Sequence, residues 1–410
     1  MKIQSITGSL SAIALAGSCL LLTGQTKKSW TDAEVLKIHK DSYLVDLHND
    51  VPMVTVNGKD FSLRGAGQHT DAVRMKEGAM GGQFFAAFVP SSYVANNGSA
   101  HQALRLIDSI KEDIWKKNAQ FAWAASTSDI LANKKAGKMS ALIGIEGGHA
   151  IEDDVRLLRR FYELGARYMT LTWTNTNNWC DSSGDINNPK VKHWGGLNDL
   201  GKSIVLEMNR LGMLVDVSHI SDGAFWSVIE TSKAPIIASH SSCRALCDAG
   251  RNLTDDMIKA LAKKGGLMGI NFSCDFLSQK AKDANPMNRP EVVKERERIM
   301  AEVKDQQEAM KQFRALMAKY RGQTPRATLE DVVAHIDHVV KLVGVDHVAI
   351  GSDFDGIGCT PDGLDDTSKF PNLTRALLEK GYTPQMIAKI YHGNLIRVFS
   401  AVEKTAASMK

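Results

Sequence analysis

The chain has little that would tie it to nucleic acid or to a bilayer. Its formal net charge is only +4 over 410 residues, and the basic residues are scattered, so no stripe of charge offers a path for a phosphate backbone. Beyond the N-terminus no apolar run approaches the roughly 20 residues needed to span hydrocarbon. A His-Glu-x-x-His helix and a Gly-x-Ser-x-Gly elbow are absent, and Arg64-Gly65-Ala66-Gly67 lacks the third glycine and the helix start of a dinucleotide loop. Helical zinc proteases, elbow-type serine hydrolases and nicotinamide enzymes are thereby set aside. Cysteines are few, and Cys243 with Cys247 finds no second cysteine or histidine pair to complete a structural zinc site. Past Cys19 five remain, at 180, 243, 247, 274 and 359, and an odd number leaves at least one thiol free or paired between chains. Export would permit disulfides without requiring any. No internal repeat or low-complexity linker marks a second domain.

What is present is ordinary globular material, 43% hydrophobic and 23% charged, long enough for a barrel of about 250 residues with insertions. Residues 1–24 carry Lys2 and then the apolar stretch Ile13 to Leu22, which is too short to span a membrane comfortably and reads as a secretory signal peptide. Ala16-Gly17-Ser18-Cys19 is similar to a lipoprotein cleavage site, although Ala16 stands where an apolar residue is usual. The expectation is an exported chain, periplasmic or secreted, with a lipid anchor at Cys19 as the alternative. The mature part, residues 30–405, is expected to be one domain without a transmembrane span.

Eight apolar or β-branched runs alternate with stretches of helical character, near 44–48, 83–89, 140–145, 167–173, 213–218, 235–239, 266–272 and 346–352. Several, such as Leu142-Ile143-Gly144-Ile145, are nearly continuously hydrophobic, as strands covered on both faces should be. Between them lie helix candidates at 155–164 and 200–211. The longest interruption, residues 275–330 between the seventh and eighth predicted strands, holds a helical stripe of Val292, Ile299, Val303, Met310, Phe313 and Met317. Its expected place is packed on its own barrel; a lid or a homodimer contact is the alternative.

The endings of these runs carry the chemistry. His48 and Asp50 follow the first, Glu146 the third, His219 the fifth, His240 the sixth and Asp353 the last. They meet only if the strand ends converge, which a TIM-type (β/α)8 barrel of the α/β class achieves at its C-terminal mouth. An open sheet seldom joins its first and last strands. Each residue alone has an ordinary reading, as a core histidine, a helix cap or a buried ion pair; together they exceed the three ligands of one catalytic zinc. The surplus favours two Zn2+ per chain, with Glu146 as bridge before Gly147-Gly148, His48 and Asp50 on one ion, and His219 and His240 on the other. A water shared by two such ions loses a proton near neutral pH and becomes a bridging hydroxide, and Asp353 is then free to accept and return a proton.

With these residues placed, the chain resembles the membrane (renal) dipeptidase family of binuclear zinc peptidases from about residue 42 to 400. The resemblance rests on Asp46-Leu47-His48-Asn49-Asp50, His69-Thr70-Asp71, Gly81-Gly82-Gln83-Phe84-Phe85, Ile143-Gly144-Ile145-Glu146-Gly147-Gly148-His149, Leu214-Val215-Asp216-Val217-Ser218-His219, Ser239-His240-Ser241-Ser242, Arg251-Asn252-Leu253 and Ser352-Asp353-Phe354-Asp355-Gly356. It implies the same ligand set, Asp353 as acid/base residue and Arg251 as the group that holds a dipeptide's terminal carboxylate. A guanidinium suits that task through two parallel hydrogen bonds. One departure stands out: where mammalian members end the fourth strand with a histidine that contacts the tetrahedral intermediate, this chain has Trp173. An indole donates one hydrogen bond and accepts none, so Trp173 either serves the oxyanion or narrows the pocket, with Asn175, Asn177 or Asn178 as polar neighbours. The reading is a zinc dipeptidase that acts through a metal-bridging hydroxide. The alternatives are another binuclear amidohydrolase, acting on an N-acyl amino acid or a lactone, and a non-catalytic peptide- or zinc-binding protein.

Overall fold

Parallel pairing joins every strand: β1 (Val45–Asn49), β2 (Gly82–Phe88), β3 (Phe121–Trp123), β4 (Met139–Glu146), β5 (Ala166–Thr170), β6 (Leu214–Asp216), β7 (Ile237–Ser241), β8 (Leu267–Ile270) and β9 (Val348–Ile350). The structure, a computed structural model, describes residues 29–303, 306–320 and 323–409, so the expected signal peptide and Cys19 lie outside the described residues. The order is β1-β2-β4-β5-β6-β7-β8-β9. The ring closes where Asn49 bridges Phe354 in parallel and the Asp50 N–H donates to the Phe354 carbonyl at 2.9 Å. The expected barrel is the architecture found. Each predicted run coincides with one strand of the ring; β3, three residues long and paired to β4 outside it, is an addition the periodicity did not signal.

The inside of the ring is filled by one apolar cluster to which the strands contribute Val45, Leu47, Phe84, Leu142, Tyr168, Leu214, Ile237, Leu267 and Ala349. The helix Asn394–Ser408 adds Leu395, Val398, Phe399 and Val402 to the same cluster. Outside the ring a larger core lies between strands and helices. Helices fall where expected, at Val155–Glu163 and Asp199–Leu211. In the second, the Asn198 side chain accepts from the Gly201 N–H and Gly212, at φ 85°, ends the helix in a conformation a Cβ disfavours.

The insertion corrects the sequence expectation. It forms two helices, Pro290–Glu302 and Gln306–Ala318, where one stripe was read. Val292, Ile299, Ala309 and Leu316 pack with Val303, Phe313 and Met317 in a cluster of their own, separate from the barrel cores. The reason is the break at Val303, whose extended backbone lets the chain fold back and cover its own apolar face. The side chain of Met310 lies outside the described residues. Cys274, at the start of this segment, is disulfide-bonded to Cys359, after β9, leaving Cys180, Cys243 and Cys247 as buried thiols. No helix among the described residues is long and apolar enough to cross a membrane.

Candidate metal centre

Strand geometry aims the site residues into the mouth. The pairing of β1 slips between Asp46 and Asn49, and that of β7 between Ala238 and Ser241, so each irregular stretch contains one site histidine. Such irregularities redirect side chains at barrel rims. His219, Asp353 and Asp355 take φ of 70°, 62° and 68°, a left-handed backbone that non-glycine residues hold only where the surroundings enforce it.

The side chains meet closely. His48 Nε2 lies 3.3 Å from Asp50 Oδ2, 3.3 Å from Glu146 Oε2 and 4.0 Å from Asp353 Oδ1. Across Glu146, its Oε1 is 2.9 Å from His219 Nε2 and 3.6 Å from His240 Nε2, and these two nitrogens are 3.0 Å apart. Glu146 therefore faces both groups with one oxygen each. His48, Glu146 and His240 form one potential cation cage, and His48, Asp50 and Asp353 another.

A further layer of polar residues fixes these side chains. Ser239 donates its hydroxyl to Asp216 Oδ2 at 2.6 Å and so accepts from His240 Nδ1 at 2.7 Å, which turns the lone pair of His240 Nε2 to the centre. The Tyr168 hydroxyl holds His48 Nδ1 at 2.8 Å, and Asn271 Nδ2 donates to Asp353 Oδ2 at 2.8 Å. Sequence reasoning missed Asp216, Ser239, Tyr168 and Asn271. The signal for Asp216 was available, because a carboxylate inside the apolar run Leu214 to Val217 is costly to bury unless it has donors.

Whether a cation fits is decided by atoms left over. His48 Nε2 and Asp50 Oδ1 are buried and make no hydrogen bond among the described residues. Burial, helped by the neighbouring Glu146 charge, pushes the Asp50 carboxyl well above its usual range. Burial also opposes ionisation of Glu146, but His48, His219 and His240 outweigh it and hold its pKa well below the ordinary value. At His48 burial is overcome by Tyr168, Glu146 and Asp50, and the pKa rises well above normal. Burial first, then nearby Arg251, lowers His219 to about 4, and burial with His48 and Arg251 holds His240 well below its ordinary value. Crowded carboxylates opposite the neutral imidazoles of His219 and His240, with His48 Nε2 aimed among them, are the donor set of a divalent transition metal, and the residues fit one.

Arg251 flanks the centre, with Nη1 donating to Ser241 Oγ and Nη2 to the His240 carbonyl, both at 3.1 Å, while its buried Nε lacks a partner among the described residues. Trp173 stacks at a tilt on Phe88, ring centroids 4.8 Å apart. Asn177 is engaged in its own loop: its Nδ2 donates to the Leu171 carbonyl and its Oδ1 accepts from the N–H groups of Trp179 and Cys180.

A closed parallel barrel that gathers histidines and carboxylates around unpaired buried donors defines a metal-dependent hydrolase. The chain belongs to the membrane dipeptidase family, peptidase family M19, whose pattern matches residues 32–410. It is therefore a peptidase of the metallo-dipeptidase type. Dipeptidase verJ of Clonostachys rogersoniana is 34% identical over 395 residues, covering 92% of this chain and 89% of that protein. Dipeptidase 3 of Rattus norvegicus is 30% identical over 377 residues, covering 90% of this chain and 67% of its own. Among solved structures, the probable dipeptidase PvdM from Pseudomonas aeruginosa superposes with a TM-score of 0.77 at 25% identity, covering 92% of this chain and 99% of that one. A metallopeptidase from Rhodobacter sphaeroides, liganded with a phosphinate mimic of the dipeptide L-Ala-D-Ala, gives 0.69 at 25% identity, covering 88% and 99%.

Proposed function

We propose that this protein is an exported dipeptidase that holds two zinc ions, one at His48 and Asp50, one at His219 and His240, with Glu146 shared. The observation that carries the reading is the pair of orphaned buried donors, His48 Nε2 and Asp50 Oδ1, beside an arginine whose Nε is also free. Zinc bound there would lower the pKa of a water and polarise a carbonyl, a contribution of several kcal/mol to the barrier. The chain's own residues do the rest. Arg251 takes the C-terminal carboxylate of the substrate and sets the peptide bond over Glu146. Asn271 secures one oxygen of Asp353, leaving the other to accept a proton from the attacking water and return it to the departing amine. Trp173 narrows the mouth. The disulfide between Cys274 and Cys359 supports an oxidising compartment, in keeping with the N-terminal residues.

The test is hydrolysis of paired L-L and L-D dipeptides by metal-stripped protein, before and after zinc is restored. Release of free amino acids only after zinc is the expected result; none from any dipeptide by zinc-loaded protein overturns the reading.

A further inference from the structure

Phe88 is the last residue of β2 and the register partner of Glu146 on β4. Alternation along the two strands fixes where both side chains point. Phe85, Ala87 and Val89 belong to the core outside the ring, as do Ile143 and Ile145, whereas Phe84 and Leu142 belong to the cluster inside it. Phe88 and Glu146 each stand four residues beyond one of that inner pair, so they face the inside of the mouth at one level. The Val89 N–H donates to the Glu146 carbonyl at 3.1 Å and keeps the two strand ends together. Phe88 is also the one residue of β2 that is not buried.

Trp173 completes this side of the mouth. It follows β5, and β4 stands between β5 and β2 in the ring, so the indole and the Phe88 ring, with centroids 4.8 Å apart, meet across the end of β4. The chain there is Gly147-Gly148, which puts no side chain between them. The Ser182 hydroxyl lies within hydrogen-bond distance of the Trp173 and His219 carbonyls, which ties the indole's backbone to the other half of the centre. Both rings are partly exposed, and apolar surface left open beside a charged centre gains from being covered by whatever occupies that centre.

We infer that Phe88 and Trp173 hold the side chain of the substrate's first residue and favour a large apolar or aromatic side chain there. The inference rests on the dipeptidase reading above. Arg251 stands after β7, its guanidinium 5.7 Å from the ring of Phe276, which follows β8. In the order of strands around the ring β2 is four places from β7, directly across the mouth. A dipeptide with its carboxylate at Arg251 and its scissile carbonyl over Glu146 therefore extends its first residue toward β2, onto the aromatic pair.

The test compares kcat/KM of the zinc-loaded full chain for Phe-Ala against Gly-Ala, and for Ala-Phe against Ala-Gly. The first ratio should be about tenfold or more and the second smaller. Trp173→Ala and Phe88→Ala should each lower the first ratio about 2- to 12-fold, chiefly through KM, and leave the second as it was. Trp173→Phe, which keeps an aromatic face, should retain most of the first ratio. An uncleavable analogue of Phe-Ala, with CH2–NH in place of the amide, should change the tryptophan emission of the wild type and much less that of Trp173→Phe. A first ratio near one, a first ratio unchanged in both alanine variants, a shift in the second ratio instead, or an emission change that persists in full in Trp173→Phe overturns the subsite and leaves the dipeptidase intact. Failure of the zinc-loaded protein to cleave any dipeptide overturns both.

Discussion

Asp216 holds Ser239 twice, accepting its N–H at Oδ1 (2.7 Å) and its hydroxyl at Oδ2 (2.6 Å). The same device recurs where the barrel closes: Asp46 accepts the N–H of Ser352 at Oδ1 (2.7 Å) and its hydroxyl at Oδ2 (2.6 Å). Each serine immediately precedes a site residue, His240 or Asp353. A buried carboxylate on one strand thereby fixes the end of the neighbouring strand at the residue where chemistry begins.

Asp216 also accepts from Thr170 Oγ1 and the Ser218 N–H, so all its neighbours are donors. Asp216→Asn turns an NH2 group toward them and leaves at least one buried donor unpaired. The expected cost is about 1–3 kcal/mol in urea unfolding. Zinc affinity should fall about 10- to 100-fold as His240 loses its orientation, and a zinc titration of the variant checks this.

Gly144 lies under the ring of Tyr168, where an added Cβ would sit 2.0 Å from Cζ. Gly144→Ala must push that ring, and with it the hydroxyl that holds His48. Destabilisation of about 1–3 kcal/mol is expected from overpacking, together with weaker zinc binding. Wild-type stability and affinity would show that the ring has room to move.

For Asp353→Asn, Oδ1 of the new amide still accepts from Asn271, so fold and metal content should persist. Turnover should drop at least about 100-fold, the usual share of a general acid/base. Metal analysis alongside single-turnover kinetics checks both halves, and near-normal turnover removes Asp353 from proton transfer.

Arg251→Met keeps much of the packing beside Phe276 and removes the charge. Hydrolysis of dipeptides should fall about 100-fold or more through lost charge-assisted hydrogen bonds, while the corresponding dipeptide amides should be nearly indifferent to the change. An equal loss on both substrate types would assign Arg251 to the fold.

His39 and His335 are buried, and burial lowers each from 6.5 to about 4. His335 accepts the Cys243 N–H at Nδ1 and donates to the Leu277 carbonyl, so protonation forfeits a bond. The folded state favours the neutral rings, whereas the unfolded chain takes up protons near pH 6.5. Their contribution is complete above that pH and is lost as the pH falls toward 4, about 2 kcal/mol for each ring by pH 5. Urea midpoints at pH 7.5, 6 and 5 should decline in step; a flat profile refutes the assignment.

The ring of strands was legible because each run is both apolar and short, and the candidate site residues because each stands where an apolar run stops. His48, Asp50, Glu146, His219, His240, Asp353 and Arg251 do converge in the structure, whereas Asn177 turns back on its loop. What stayed hidden depends on partners distant in the chain. Ser239 is unremarkable until Asp216 is beside it, and Asn271 means nothing until β9 brings Asp353 across. The break at Val303 was obscured by a stripe that continues in phase through both helices, and β3 is too short to show a period.

The Cys274–Cys359 bond spans 85 positions and encloses the whole insertion. A protease that nicks the chain anywhere between these cysteines leaves two fragments that migrate as one molecule until a reductant is added. Activity after such a cut, measured with and without reductant, would separate what the unbroken insertion contributes from what the tether contributes.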